Sequence, residues 1–372
     1  MNKTVVAVLI LISVFAFHVG AESKPEEFIK NQAELSGADE LPHSLPEEEK
    51  KLFEDKNINP DDGSWISDLS VGGILNHLWS VATEKCKTPF YTMSILVAVV
   101  LIGGAIGSME HSSMGVTAEF AVTAVSAAIL VSPVIGVIGS AVEVMQNVAV
   151  FMTAFIPVFA AVVAANGQAV TGTAMSGLLL GATQVVEMVA NYLIVPLMCG
   201  YLSLSIVSVV SPLLSRFSLA EAVKKLSFWI MSLMTTLFLG VLSIQTAINA
   251  SADSLALRTA RFVIGTSVPV AGTVLSEALT TVTASLGVLK TTVAIYGVVA
   301  CCAIFLPLLV ELVLWRIALN LSSGICETLS QSNISKLIKC MDTAISVLCG
   351  IILLSMALFV ISLCVVVSAG RV

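Results

Sequence analysis

Residues 261–320 read RFVIGTSVPVAGTVLSEALTTVTASLGVLKTTVAIYGVVACCAIFLPLLVELVLWRIALN. The first half, 262–289, is apolar but rich in Gly, Pro, Ser and Thr, too broken for one ordinary spanning helix. The second half holds a long membrane span over 291–314, with Glu311 near its end and Trp315-Arg316 just beyond. Broken backbone at membrane depth is tolerated only where protein or a water-filled cavity covers its freed polar groups. The stretch therefore reads as the interior of a multi-helix membrane assembly and not as a free lipid-facing helix.

The remainder of the chain agrees. Of 372 residues, 57% are hydrophobic and 12% charged, against about a quarter charged in soluble domains, and mean hydropathy is +0.98. The expected fold class is all-α: a polytopic helical membrane protein of about seven or eight transmembrane helices with a re-entrant hairpin and a largely disordered exported N-terminal segment. The net charge of -7 gathers before residue 70. Only Cys86 lies in the polar N-terminal region, so no intrachain disulfide framework forms there, and the membrane cysteines read as small hydrophobes.

Elimination is informative about chemistry. The sequence has no Walker-A motif, and histidine occurs only at 18, 43, 77 and 111. After Asp68 the aspartates are Asp253 and Asp342, both at loops. No catalytic group, no metal site and no cofactor is expected, and no basic run points to nucleic acid.

Four segments follow along the chain. Residues 1–21 form a signal peptide, with Lys3, an apolar core and Val19-Gly20-Ala21 before the cleavage point; a retained first span is the alternative. Residues 22–64 are acidic, poor in aromatics and dotted with Pro25, Pro42, Pro46 and Pro60, the composition of a mostly disordered exported segment. Residues 65–88 carry Val71, Ile74, Leu75, Leu78 and Ala82 at helical spacing, which suits an amphipathic interfacial helix or a helix that docks a partner. Residues 89–372 form the polytopic membrane domain, with spans near 91–109, 118–140, 147–165, 172–189, 192–214, 226–248, 291–314 and 343–368.

Arg216, Lys224 and Lys225, and then Arg316, Lys336 and Lys339, mark two cytoplasmic loops. With eight spans, both loops reach the cytoplasm only if 262–289 enters the bilayer and returns, which is the argument for the hairpin. Ile334, Leu337, Ile338 and Met341 form an apolar stripe suited to a second interfacial helix.

Polar and small residues inside the spans supply the candidate sites. Glu277 sits near the proposed hairpin turn, as a carboxylate reaching water or lining a cavity, and Lys290 marks the hairpin's end. Glu311 pairs with Arg316 or Lys290, as a structural ion pair or as part of a permeation or proton site. Glu119, Glu143 and Glu187 fall near span ends, within reach of water. Pro157 and Pro196 are spaced much like Pro269 and Pro307 in similar surroundings, a faint repeat of helix breaks of the kind that marks transporter centres. Gly103 with Gly107, and Gly177 with Gly181, form GxxxG pairs that favour close helix packing and an oligomer or compact bundle.

The order and spacing of these features resemble the stage III sporulation protein AE family. The resemblance rests on Ile295-Tyr296-Gly297-Val298-Val299 after 262–289, on Phe305-Leu306-Pro307 with Glu311, on Leu314-Trp315-Arg316-Ile317-Ala318-Leu319-Asn320, and on Phe155-Ile156-Pro157. It implies a multi-pass component of the mother-cell membrane around the forespore, part of a transenvelope channel or export complex needed for late forespore development. The partners implied are other membrane and ring-forming proteins of that complex and a separate secretion-type ATPase, besides membrane lipid. The family supplies no catalytic residues. Two other readings remain from the residues themselves: a stand-alone secondary transporter or permease, and a non-conducting scaffold.

Overall fold

The computed structural model describes residues 26–68, 70–108, 113–210, 222–223, 225–230, 232–244, 255, 258–259, 272–329 and 331–368. These are helical, without a strand among them. In order they form α1 (Glu26–Ser36), a 3-10 turn (Ala38–Ser44), α2 (Glu47–Asp55), α3 (Trp65–Asp68), α4 (Val71–Lys85), α5 (Lys87–Ser108), α6 (Ser113–Ala165), α7 (Ala169–Val189), a π turn (Ala190–Ile194), α8 (Val195–Val210), α9 (Lys225–Ile244), α10 (Gly272–Thr328) and α11 (Ser332–Ser368). Six helical stretches among the described residues are long and apolar enough to cross a membrane.

The helices run longer than the sequence predicts. Spans expected at 118–140 and 147–165 are one helix, α6, of 53 residues, about 80 Å at the usual rise. Those expected at 172–189 and 192–214 join as α7, the π turn and α8. The proline positions explain how. Pro133 and Pro157 lie inside α6 and Pro307 lies inside α10. Each proline forfeits one backbone hydrogen bond, whereas unwinding the helix in an apolar setting would strand several polar groups. Pro157 and Pro307 therefore do not break their helices. At Pro196, which has no N–H to give Tyr192, the preceding turn widens and the Val195 N–H bonds Ala190 O, five residues back.

The hairpin expected over 262–289 is not present over its described part. From Gly272 the chain is helical without interruption through Lys290 to Thr328; Pro269 and the rest of 260–271 lie outside the described residues. The parity argument behind the hairpin also lapses. With two pairs of spans fused, six candidate spans stand among the described residues where eight were expected. Among the described residues, three candidate spans precede Lys225 and five precede Gln331, a count that puts both on one side without a hairpin.

α10 and α11 form the central antiparallel pair. Their turn is closed by the Gln331 N–H on Cys326 O at 2.9 Å, and Leu312, Ile334, Leu337, Ile338 and Met341 are fully buried along the seam. The Ile334 stripe thus faces α10 and not lipid headgroups. α6 packs against this pair. At one end Gly104 of α5 sits beside Gln331, and Gly103 packs on Val122 of α6. Further along, Phe155 meets Gly297, and Met152 Sδ lies 3.8 Å from Cys301 Sγ. Phe151, Phe155 and Phe159 stack in series with centroids 5.5 Å apart.

The acidic N-terminal segment differs most from expectation. From Glu26 onward its described residues are helices and not disordered chain, and Ala33, Ala38, Leu41, Leu45, Phe53, Ile58 and Trp65 are buried. Phe53 meets Tyr296 edge to face at 5.3 Å, Gly37 abuts Val158, and the Trp65 indole donates to Asn59 O at 2.7 Å. A segment too poor in apolar residues to make its own core still folds when a preformed apolar wall supplies the other half. α4, capped by Ser70 Oγ accepting from Gly73 N at 3.0 Å, lies along α10 and leaves Leu75 and Trp79 exposed.

Candidate functional site

The polar candidates of the sequence are dispersed along α10 and pair separately. Lys290 is 2% exposed, and its ammonium donates to Gln168 Oε1 at 2.7 Å. Gln168 follows Gly167, whose φ of 80° is open to glycine at little cost. Lys290 thus ties the α6–α7 turn to α10 and does not mark a hairpin's end. Glu311 pairs with Lys85 at 3.5 Å, at the α4–α5 junction. Neither partner expected for it is within reach. Lys290 lies 21 residues up the same helix, about 31 Å away, and Arg316 is five residues on, well round the helix from Glu311. Arg316 Nε instead donates to Asp342 Oδ1 at 3.2 Å, an oxygen that also accepts from Asn320 Nδ2 at 3.3 Å. Glu327 pairs with Lys339 and accepts from Ser335 Oγ. These pairs fasten α10 to α4, to the α6–α7 turn and to α11. Glu277 lies on α10, and its side chain is outside the described residues.

The glycine pairs separate in the same way. A β-carbon on Gly103 would stand 2.5 Å from Val122 Cγ2, so α5 and α6 approach closely there. The side-chain surroundings of Gly107 lie outside the described residues. At Gly177 and Gly181 a β-carbon would meet nothing within 4 Å. The glycine that brings α7 against α6 is Gly172, where a β-carbon would come 2.8 Å from Ala160 O.

Glu187, which the sequence places near a span end, lies elsewhere along its helix. The half-buried Glu187 lines a small open cleft between α6, α7, α10 and α11, with Thr183, Ser355, Met145, Phe305 and Phe359 among its walls. A span end predicted at 189–192 placed Glu187 near water. The continuous α7–π–α8 stack puts it 18 residues from Ala169 and 22 from Val209, well inside the apolar rod. The spacing of Thr183, Glu187 and Asn191, each four apart, was the available signal, because it sets three polar groups on one helix face. Asn191, at the π turn, keeps its Oδ1 buried and without a hydrogen bond.

These features define a multi-pass α-helical membrane protein in which Lys290, Glu311, Arg316 and Glu327 fasten neighbouring helices to one another. Its sequence matches the family model described as stage III sporulation protein AE over residues 62–370. The chain belongs to the stage III sporulation protein AE family. It is 30% identical over 239 residues to the stage III sporulation protein AE of Bacillus subtilis (strain 168), an alignment covering 63% of this chain and 59% of that protein. The chain thus spans about three fifths of the length of the curated relative it matches. No solved structure matches it. The family match begins at residue 62, so α1 and α2 lie before it. The matched family is one of sporulation proteins and is not defined by an enzymatic reaction.

Proposed function

We propose that this chain is an integral membrane subunit of a sporulation-specific transenvelope channel or export complex linking mother cell and forespore, needed for late forespore development. The observation that carries the reading is the family match, which runs through the entire apolar body from α4 to α11. The helical cap of residues 26–66, docked at the Lys290 end of α10, supplies a polar face on the exported side of the mother-cell membrane for other proteins of the complex to meet. The chain brings no P-loop, so a separate secretion-type ATPase is the expected energy source. Of the four prolines behind the transporter reading, Pro157 and Pro307 sit in unbroken helices and Pro196 follows a π turn.

An in-frame deletion in the source organism tests the proposal. The expected result is development that stops after engulfment, with heat-resistant spores restored by the intact gene in the mother cell. Wild-type numbers of heat-resistant spores from the deletion strain would overturn it.

A further inference from the structure

We propose that the bilayer encloses only the half of the bundle between Glu311 and the α10–α11 turn, where a mid-height girdle of lysine and tyrosine side chains meets the phospholipid headgroups. The other half, from Lys290 to Glu311, stands clear of the membrane on the exported side and carries the helical cap.

Contacts with α10 fix the heights of its neighbours. Gly63 abuts Thr292, Lys85 pairs with Glu311, and Gly104 sits beside Gln331, so α4 and α5 follow α10 one after the other. Gln168 meets Lys290, Met152 meets Cys301, and Glu187 shares a cleft with Phe305, which places α6 and α7 on the same axis. From Lys290 to Glu311 is about 31 Å, and from Glu311 to Gln331 is about 30 Å. The hydrocarbon core of a bilayer is about 30 Å thick. The bundle therefore offers two lengths where a membrane needs one.

The exterior chooses between them. Beside the Lys290–Glu311 length, α4 exposes Asn76, Ser80, Thr83 and Glu84, α6 exposes Gln146 and α7 exposes Gln184. Lipid offers such amides and carboxylates no hydrogen-bond partner, whereas water does. Beside the Glu311–Gln331 length, α5 exposes Leu101 and Ile102, α8 exposes Leu204 and Val207, and α10 exposes Ile317 and Leu321. Polar groups on this side are turned back on the protein. Ser94 donates to Phe90 O at 2.8 Å and Ser203 to Cys199 O at 2.9 Å. Asn320 Nδ2 donates to both Arg316 O and Asp342 Oδ1. A surface of this kind suits hydrocarbon.

The boundary between the two lengths is marked on separate helices. Lys85, Lys87 and Tyr91 are exposed where α4 passes into α5, and Tyr91 lies about 9 Å beyond Lys85 along the chain's course. Tyr192 is exposed at the π turn, five residues past Glu187, which puts it about 30 Å from Lys290 and level with Glu311. These side chains fall within a band about 10 Å deep. Tyrosine and lysine in such a band anchor a helix at headgroup level, with the ring or stem toward hydrocarbon and the polar tip toward water. Lys336 and Lys339, exposed just past the α10–α11 turn, mark the cytoplasmic boundary.

Quenching of tryptophan fluorescence by brominated acyl chains, which acts only at short range, provides the test. The full-length protein is reconstituted into vesicles of phosphatidylethanolamine and phosphatidylglycerol with bromine at mid-chain. Trp229→Phe leaves Trp79 as the exposed reporter above the girdle. In the protein carrying both Trp79→Phe and Trp229→Phe, Val150→Trp adds a second reporter above the girdle, and Leu321→Trp and Leu204→Trp report below it. All four reporter positions are exposed, and the buried Trp65 and Trp315 give a background measured in the doubly substituted protein. The expected result is quenching at least about threefold stronger at Leu321→Trp and Leu204→Trp than at Trp79 and Val150→Trp. A smaller difference, or stronger quenching above the girdle, would overturn the proposal. Quenching at none of the four would also overturn it, by making protein and not lipid the cover of the lower half. The measurement reads position in the bilayer whatever the role in sporulation, so either conclusion can fail alone.

Discussion

Replacing Gly297 by alanine probes the tightest contact between α6 and α10. A β-carbon at Gly297 would lie 2.6 Å from Cε2 and 3.0 Å from Cε1 of Phe155, and closer still to its Cζ. Carbon atoms rest at about 3.5–4.0 Å, so the ring must retreat by about 1 Å. It has little room to do so. Phe155 is fully buried and stacked between Phe151 and Phe159. Overpacking of this kind costs about 1–3 kcal/mol, while alanine in place of a helical glycine returns about 1 kcal/mol. The expected net is a loss of up to about 2 kcal/mol. The assay is thermal unfolding of the full-length protein in detergent, followed by the exposure of Cys301, which is buried beside Met152. Two further proteins make the result decisive. Gly177→Ala, with nothing within 4 Å, should match or exceed the parent by up to about 1 kcal/mol. Phe155→Leu vacates the ring tip, so in that background Gly297→Ala should cost nothing and a double-mutant cycle should give a coupling of about 1–3 kcal/mol. If Gly297→Ala behaves like Gly177→Ala in the parent, the packing described between α6 and α10 is wrong.

Three other outcomes follow from the same contacts. Gly172→Ala sets a β-carbon against the Ala160 carbonyl, which as backbone cannot swing aside, so it should destabilise by about 1–3 kcal/mol, with equal stability in the same melt counting against it. At the Lys290–Gln168 contact, Gln168→Leu strips an acceptor from a buried ammonium and should cost about 1.5–3 kcal/mol, whereas Lys290→Met, which removes the charge and fills a similar volume, should stay within about 1 kcal/mol of the parent; the reverse order would show that the ammonium does not rely on Gln168. Burial on α2 raises the Glu49 carboxyl above its ordinary value. A carboxyl raised on folding disfavours the docked state when ionised, so docking of the N-terminal cap should strengthen as pH falls from neutral toward the ordinary carboxylate range. Limited proteolysis of residues 26–66 should show Glu49→Gln protecting the cap at neutral pH, with the advantage fading on acidification.

Sequence revealed what depends on composition and local pattern. The apolar helices of α5, α6, α9, α10 and α11 are legible because long runs without charge leave the backbone no partner but itself. Contacts between distant segments were not legible. Nothing near Glu311 in the sequence points to Lys85, and only the course of α4 beside α10 brings them together. Asn191-Tyr192 before Pro196 has the look of a loop, and the π turn that absorbs the proline hid Glu187 inside a helix. The disorder predicted for 22–64 followed from its few apolar residues, yet Phe53 needs only the one wall that Tyr296 provides. The GxxxG spacing found small residues without telling which faced inward; Gly103 does and Gly177 does not.

The 57 residues of α10 extend for about 85 Å, nearly three times the hydrocarbon thickness of a membrane. Along that length only Pro307 interrupts the hydrogen-bond ladder, and it introduces no break. Such a strut is stiff in compression and in torsion. A push delivered where α10 turns into α11 would therefore reach Tyr296 and the Phe53 that leans on it with no joint between to absorb the displacement, which makes one helix a mechanical link between the two ends of the bundle.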